Sequence, residues 1–411
     1  MMAPARQWPD CRYLGEEIGE KDCATCGRRV KLKARYCPFN GAGIGTAYAH
    51  AGHALPGVTA DECRRCDVRR MDLPAPPANA PTAFLCLFTG YRDRESTLFL
   101  EPLARAGWNV VPVQVTRGCI LDCVRKAIKT HGGPDAIVQW EEHGSCRTTA
   151  AWRDTVTWAY ANGVAPLAVD FGYFAHYRQF MFDLYRPDGS SSIEDDWADV
   201  PATDPAWADA SIEVRHHRDA VIAEFAAARD KPPLVAEPYV ALYLQQYTAH
   251  CRLPHVPSNA ALVARAASEL AGKGIRLAVK VAPKSSLYAA AAPPANVSVF
   301  TPADAPDITA QLAVHAEYCM TLSSSISNEF LLAGLPVVAL GRSWFCGKDV
   351  FREPASWRWI PDRAPAVNTA ARNKYANWWL SRQFDAALAA PHFARLVERF
   401  RAPRSEQAHA R

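Results

Sequence analysis

The stretch TLSSSISNEFLLAGLPVVALG, residues 321–341, combines an apolar strand, a serine turn, a helix and a second apolar strand. The first strand ends at Leu322 and is followed by three consecutive serines, Ser323 to Ser325. Gly334 and Pro336 end the helix, which begins at about Ser327, before the second strand starts. Units of strand, turn and helix are typical of a parallel sheet whose faces are covered by helices. The stretch therefore predicts an α/β fold.

The same alternation continues upstream in two blocks. The later block adds four apolar segments and the helical stretch NAALVARAASELAGKG, and the strands predicted there are PLVAEPYV (233–240), IRLAVKVAP (275–283), NVSVF (296–300) and CMTLS (319–323). The earlier block contains the helical stretch TTAAWRDTVTWAYANG, and its predicted strands are AFLCLFTG (83–90), WNVVPVQV (108–115), DAIVQW (135–140) and APLAVDFGYF (165–174). The fold class predicted is α/β with two Rossmann-like domains.

Chain length supports two domains, because a single hydrophobic core stops growing at roughly 250–300 residues and this chain has 411. The predicted boundaries place an N-terminal Rossmann-like domain at 83–225 and a C-terminal one at 226–411. Residues 186–209 are acidic and rich in serine and proline, which indicates a surface loop. An aromatic stripe near the C-terminus at helical spacing predicts core packing of Tyr375, Trp378, Trp379 and Phe384.

Composition excludes a disordered chain, because 49% of the residues are hydrophobic and 21% are charged. The formal net charge of +4 gives no dominant footprint for nucleic acid. No apolar run reaches the roughly 18–20 residues of a membrane span, and the N-terminus lacks the apolar region of a signal peptide. We therefore expect a cytoplasmic protein without a transmembrane segment.

Residues 1–72 contain six of the 13 cysteines and predict a small metal-binding module, separated from the domains by the proline-rich linker LPAPPANAPT at 73–82. Two C-x-x-C pairs suit a tetrahedral zinc ion of structural role. Either these pairs form one site and the other two cysteines build a second with His50 or His53, or the four ligands are the first four cysteines. An iron–sulfur cluster is a further alternative. The candidate ligands are Cys11, Cys23, Cys26, Cys37, Cys63 and Cys66.

The segment GRRVKLKAR, residues 27–35, alternates basic and apolar residues. A strand there would place Arg29, Lys31, Lys33 and Arg35 on one face. Such a ribbon would suit a polyanion such as DNA, whereas the alternative is a module that only adds stability.

The serine turn indicates phosphate chemistry. It points backbone N–H groups and the hydroxyls of Ser323, Ser324 and Ser325 toward the N-terminus of a helix, which favours an anion. Glu329 in the same helix would reach a ribose hydroxyl once a phosphate is bound. The alternative is that the serines only cap the helix.

Ser324, Ser325, Glu329, Gly334 and Pro336 match the pattern of the capsule-polysaccharide glycosyltransferase family, which this segment resembles. That family has a Ser/Thr-rich turn, a Glu four or five residues later and a G-x-P-V stretch. In IRLAVKVAPKSS, Lys280 and Pro283 fit the family's strand that ends in a Lys-Pro-His-Pro-like turn, with Ala282 at the histidine position. In PLAVDFGYFAHYRQF, Asp170, Gly172 and Tyr173 fit a strand that ends in an acid, with Phe171 where relatives often have a second acid.

The resemblance implies the two-domain glycosyltransferase B architecture, with the nucleotide-sugar donor bound mainly by the C-terminal domain and the acceptor by the N-terminal one. Asp170 is the expected base, and Lys280 and Lys284 would offset phosphate charge. Glu141, Glu142 and His143 in VQWEEHG are reserve catalytic candidates. Because no D-x-D motif ends an apolar strand, we expect catalysis without a metal.

The function expected is transfer of a sugar from a nucleotide-sugar to a capsular or surface saccharide. Two alternatives stay open. One is a transferase that glycosylates a hydroxylated base in DNA and uses the cysteine module to hold the DNA. The other is a protein that binds a nucleotide or nucleic acid without turnover.

Overall fold

The computed structural model describes residues 15–22, 29–36, 43–44, 75–88, 99–115, 119–140, 150–172, 174–175, 179–188, 190–245, 258–281, 293–341, 344–353, 360–361 and 363–402. The chain divides into two compact units. The first comprises residues 1–170, 180–195 and 385–411, and the second comprises residues 171–179 and 196–384. Both contain a five-stranded sheet, so the predicted α/β class with two sheets is confirmed.

A small antiparallel sheet precedes the main sheet of the first unit. Its strands are β1 (Gly15–Asp22), β2 (Arg29–Tyr36) and β3 (Gly43–Ile44). Gly15 lies opposite Tyr36, and Asp22 lies opposite Arg29. Strand β2 covers the basic stretch in which the alternation of residues indicated a strand.

The main sheet of the first unit has the strand order β5-β4-β6-β7-β8. Its elements are β4 (Thr82–Phe88), α1 (Leu100–Arg105), β5 (Asn109–Val115), α2 (Ile120–His131), β6 (Ala136–Trp140), α3 (Ala150–Ala161), β7 (Ala165–Phe171) and β8 (Phe180–Leu184). Strands β4 to β7 are parallel. Strand β8 is antiparallel to β7, because the N–H after its end, on Tyr185, donates to Pro166 O near the start of β7 (3.1 Å).

Apolar residues from the strands and from helices α2 and α3 form one core in this unit. Phe84, Val113 and Ile137 pack there with Val124 and Trp152. The four parallel strands and α3 were predicted from sequence. Helix α2 and strand β8 were not. All five residues of β8 are buried, and a short apolar run of this kind carries no alternation that marks it as a strand.

The second unit has five parallel strands in the order β11-β10-β9-β12-β13. Its elements are α4 (Ile212–Arg229), β9 (Tyr239–Tyr243), α5 (Asn259–Ala271), β10 (Arg276–Lys280), β11 (Val297–Phe300), α6 (Ile308–Val314), β12 (Cys319–Thr321), α7 (Ile326–Leu332), β13 (Val337–Ala339) and α8 (Thr369–Leu380). The chain starts in the central strand, builds outward on one side and then returns to build on the other. This is the order of a dinucleotide-binding Rossmann sheet.

The first strand of this unit was predicted at 233–240, and that position is wrong. Strand β9 begins at Tyr239 and ends at Tyr243. Pro233 and Pro238 lack the N–H that a central strand must donate, so pairing starts only after the second proline.

The division of the chain differs from the predicted boundary at 225/226, which falls inside helix α4. It differs again at the C-terminus, where helix α9 (Ala389–Arg401) belongs to the first unit. The ring of Phe393 in α9 packs edge-on against Trp108 with centroids 4.7 Å apart. The predicted core positions Tyr375, Trp378, Trp379 and Phe384 are all buried, as expected.

The segment predicted as a surface loop, 186–209, is partly built into the fold. Ser192 and Ile193 are buried, and both donate to Asp183 Oδ1, at 2.9 and 3.0 Å. Asp195 pairs with Arg186 and with Arg399. Hydrogen bonds and ion pairs of this kind join residues that are not neighbours in the sequence. The low hydrophobicity of the segment therefore did not indicate them.

Candidate functional site

The strand order of the second sheet reverses between β9 and β12, which are parallel neighbours with Tyr243 opposite Thr321. In open α/β sheets, ligands bind outside the carboxyl ends of the strands at this reversal. Gln245 follows β9 and Ser323 follows β12. The predicted serine turn therefore lies where the fold class binds its ligands.

Gln245 and Ser323 are joined by two hydrogen bonds across the reversal. The main-chain N–H of Ser323 donates to Gln245 Oε1 at 3.1 Å, and Gln245 Nε2 donates to the Ser323 hydroxyl at 3.0 Å. Asn259 Nδ2, at the start of α5, donates to the Gln245 carbonyl at 2.9 Å. Helix α5 thus positions Gln245, and Gln245 positions the first residue of the turn.

The remaining serines leave hydroxyls at the surface of the turn. The Ser324 carbonyl accepts from the Ser327 hydroxyl at 2.7 Å, and Ser324 Oγ accepts only a long bond of 3.4 Å from Ile326 N–H. Ser325 is the N-cap residue, but its side chain caps no backbone N–H. Both residues are partly exposed. Capping alone therefore does not account for the three serines.

Helix α7 begins at Ile326, one residue before the predicted start, and has only seven residues. So short a helix contributes a small dipole. Phosphate affinity at the turn consequently depends on the serine groups and on nearby cationic side chains, rather than on the helix itself.

Lys280 is the last residue of β10 and lies opposite Tyr243 in the sheet register. Side chains opposite each other in neighbouring strands leave the same face of a sheet. Partial burial lowers the pKa of Lys280, and the negative charge of Glu329 acts against that shift. The structure thus brings together Lys280 and Glu329, which are 49 positions apart in the sequence.

Glu329 lies in helix α7 in a partly buried position. Burial and the neighbouring Glu224 of α4 raise the pKa of its carboxyl and Lys280 lowers it, with a net result of about 7. The Phe330 ring lies 4.7 Å from the ring of Tyr243, whose hydroxyl donates to Thr309 O at 2.8 Å. A carboxyl in such a setting exchanges its proton near neutral pH.

Sequence reasoning missed Gln245. Because β9 was predicted to end at Val240, Gln245 appeared to lie well beyond the strand. The signal that would have found it is a polar residue that directly follows the apolar run of β9, YVALYL.

Asp170 lies near the end of β7 in the first unit and is partly buried. Gly172 lies two residues later, and its N–H donates to Gln179 O at 2.7 Å. A Cβ at position 172 would lie 2.6 Å from Gln179 Cβ, so any other residue requires the neighbouring atoms to shift. The structure thereby gives a packing reason for the glycine of the predicted strand end.

Several predicted site residues lie outside the described residues: Glu141, Glu142, His143, Tyr173, Ala282, Pro283 and Lys284. The same holds for the proposed metal ligands Cys11, Cys23, Cys26, Cys37, Cys63 and Cys66, so the zinc module stays a prediction. Within the described ranges, no group of three or more His, Cys, Asp or Glu residues is arranged to hold a metal ion. None of the helices in those ranges is long and apolar enough to cross a membrane.

No protein-family model matches this chain, and no curated protein sequence matches it. Among solved structures, it is similar to the beta Kdo 2,7 transferase KpsC of Thermosulfurimonas dismutans, with 12% identity, a TM-score of 0.42, and coverage of 77% of this chain and 99% of that one. The beta Kdo 2,4 transferase of the same KpsC has 15% identity and a TM-score of 0.40, with coverage of 72% and 89%. The glycosyltransferase SnogD from Streptomyces nogalater has 12% identity and a TM-score of 0.34, with coverage of 77% and 99%. Similarity this weak establishes neither a family nor a function.

Proposed function

We propose that this protein is a glycosyltransferase of the glycosyltransferase B type, which transfers a sugar from a nucleotide-sugar to a saccharide. The observation that carries the proposal is the pairing of Gln245 with Ser323 at the reversal of the second sheet. It presents a turn of partly exposed serines beside a lysine and a carboxyl. Hydroxyls and a lysine suit the phosphate groups of a nucleoside diphosphate, and a carboxylate suits its ribose.

In this proposal the second unit binds the donor. The hydroxyls of Ser324 and Ser325 and the charge of Lys280 contact the diphosphate. Glu329 in its ionised form accepts a hydrogen bond from a ribose hydroxyl. Lys284, which follows the same strand as Lys280, is proposed as a second cation.

Chemistry requires a base for the acceptor and a partner for the leaving group. As the acceptor oxygen forms its bond to the anomeric carbon, its proton passes to Asp170. The bond between that carbon and the phosphate oxygen breaks, and Lys280 stabilises the charge that develops on the phosphate. Glu142 and His143 are the reserve candidates for the base. The first unit, which contains these residues, would bind the acceptor.

The acceptor class is inferred from the resemblance of residues 321–341 to capsule-polysaccharide glycosyltransferases. We propose a capsular or surface saccharide. The cysteine module is proposed to hold zinc in a structural role, with no metal taking part in sugar transfer.

Donor binding is tested first by thermal unfolding of the metal-replete full chain with UDP-, GDP-, CMP- and dTDP-sugars. A ligand at 100 times its dissociation constant stabilises by about 2.7 kcal/mol. We expect one nucleotide class to stabilise the protein and Ser324→Ala or Lys280→Met to reduce the effect. The matched controls are Ser190→Ala and Lys126→Met, both exposed residues of the first unit. The absence of any stabilisation contradicts the proposal.

Transfer is tested with the radiolabelled form of the donor that binds, offered to surface polysaccharide and separately to DNA containing hydroxymethylated bases. Label in the polysaccharide supports the proposed acceptor. Label only in DNA overturns the acceptor class but not the donor site. Donor binding without transfer to either acceptor overturns the proposed transferase activity.

A further inference from the structure

Arg372 in helix α8 is a buried cation, with only 5% of its surface exposed. Its Nη2 donates to the Leu335 carbonyl at 2.5 Å and its Nε donates to the Val350 carbonyl at 3.4 Å. Its Nη1 is also buried and has no hydrogen-bond partner among the described residues. No carboxylate in those ranges forms an ion pair with it. Among the described residues, two carbonyls and the Phe351 ring, 5.5 Å from Cζ, contact the guanidinium, and none supplies a counter-ion.

An arrangement of this kind is costly unless something else supplies the negative charge. Buried charges in proteins are paired or bind ions, because an isolated charge loses its hydration. Burial lowers the pKa of Arg372, to about 10, which is the direction that disfavours the charged form. The guanidinium is also planar and forked, which suits the two oxygens of a carboxylate or phosphate.

A cavity of about 590 Å³ is lined by Arg372 together with Arg352, Arg363, Asp349 and Asn368. Its volume is in the range of small-molecule sites. Among the described residues of the lining, three arginines against one aspartate give a formal charge of +2. The one aspartate already has a partner in the lining, because Asp349 Oδ2 accepts a hydrogen bond from Asn368 Nδ2 at 2.5 Å.

Asn368 is also the N-cap of helix α8, and its Oδ1 accepts from the Ala371 N–H at 3.1 Å. This helix has 12 residues, so its N-terminus adds a partial positive charge beside the cavity. The helix end, the exposed Arg363 and the buried Arg372 therefore favour the same kind of ligand.

The cavity is distinct from the donor site within the second unit. It includes Val337, the first residue of β13, and so lies toward the amino end of that strand. The serine turn follows the carboxyl end of β12, which runs parallel to β13. The two sites therefore lie at opposite ends of the parallel strands of this sheet.

We infer that this cavity binds a small oxyanion, a phosphate or carboxylate group of a metabolite, with Arg372 and Arg363 as its main ligands. Arg372 contacts the anion from the protein interior. Arg363 contacts it from the exposed segment that leads into α8.

Isothermal titration of the full chain with inorganic phosphate and, separately, with citrate tests the inference at constant ionic strength. We expect saturable binding of at least one anion, and which of them binds distinguishes the phosphate from the carboxylate source. Arg363→Ala should weaken the affinity about tenfold. Arg153→Ala, an exposed arginine of the first unit, is the matched control and should leave it unchanged.

Arg372→Lys keeps the charge but removes the fork, and we expect it to weaken binding as well. Should that variant unfold, Arg363→Ala decides the question, because Arg363 is at the surface. The absence of saturable binding, or binding that Arg363→Ala leaves unchanged, overturns the inference. Loss of phosphate binding in Lys280→Met but not in Arg363→Ala overturns it too, because the anion then occupies the donor site.

Discussion

The side-chain amide of Gln245 holds Ser323 by both its oxygen and its nitrogen. It thereby links the carboxyl ends of two neighbouring strands, Tyr243 in β9 and Thr321 in β12, which are 78 positions apart in the sequence. The link fixes where the serine turn begins. A ligand that binds the turn meets hydroxyls whose positions are already set, which reduces the entropy that binding must offset.

Gln245→Ala should therefore weaken nucleotide binding without unfolding the protein. Two hydrogen bonds are lost, and the expected cost in the free energy of unfolding is about 1–3 kcal/mol. We expect donor affinity to fall about tenfold because Ser323 is no longer fixed. Calorimetric titration with the donor nucleotide measures the affinity, and urea unfolding measures the stability.

The matched control is Gln311→Ala. Gln311 is buried in the same unit and donates to Asp307 Oδ1 at 2.9 Å, so its removal should also lower stability. It should leave the affinity for nucleotide unchanged. Equal affinities in the two variants would show that Gln245 has only a structural role.

The serine turn was visible in the sequence because its signals are local. Consecutive serines, a helix and Gly334 with Pro336 all lie within one short stretch, and each depends on backbone preferences of its own residues. Gln245 could not be predicted in the same way, because its hydrogen-bond partner, Ser323, is distant in the sequence. Local patterns do not encode such pairings.

The same distinction applies to the fold. Alternating apolar segments predicted most strands of both sheets. The start of β9 was misplaced because the prediction followed the apolar residues and gave too little weight to Pro233 and Pro238. Helix α9 has a clear helical pattern, but the pattern does not say which sheet it packs on. The contact of Phe393 with Trp108 shows that α9 belongs to the first unit. In the sequence, Trp108 precedes the second unit and Phe393 follows it.

Glu329 predicts a specific dependence of stability on pH. Its pKa is raised from 4.5 to about 7 in the folded protein, so between these values the folded state binds more protons than the unfolded state. The stabilisation that this group contributes is therefore fully present below about pH 4.5 and is lost as the pH rises through 7. The loss is at most about 3 kcal/mol.

Glu329→Gln removes this contribution. We expect the variant to lose less stability than the parent protein between pH 5 and pH 8, as measured by urea unfolding at several pH values. Glu237→Gln, at an exposed carboxylate in the same unit, should behave like the parent. Parallel pH profiles for the parent and Glu329→Gln would contradict the raised pKa.

Gly172 offers a test of packing beside the candidate base. Gly172→Ala places a Cβ 2.6 Å from Gln179 Cβ, and the backbone must move to relieve the clash. Overpacking of this kind costs about 1–3 kcal/mol. Thermal unfolding should show a lower midpoint for this variant. Gly133→Ala is the matched control, since nothing lies within 4 Å of its added Cβ, and an equal loss in both would exclude the clash as the cause.

Asp170→Asn separates catalysis from donor binding. The amide keeps the shape of the carboxylate but cannot take the proton of the acceptor hydroxyl, so we expect the rate of sugar transfer to fall about 10²–10⁴-fold. Donor affinity should be unchanged, because the proposed donor contacts are all in the second unit. The measurement is single-turnover transfer with saturating donor, paired with calorimetric titration of the same preparation. Asp154→Asn, at an exposed aspartate of α3 in the first unit, controls for the loss of a negative charge. Transfer at the parent rate in Asp170→Asn would move the role of base to Glu142 or His143, which follow the neighbouring strand β6.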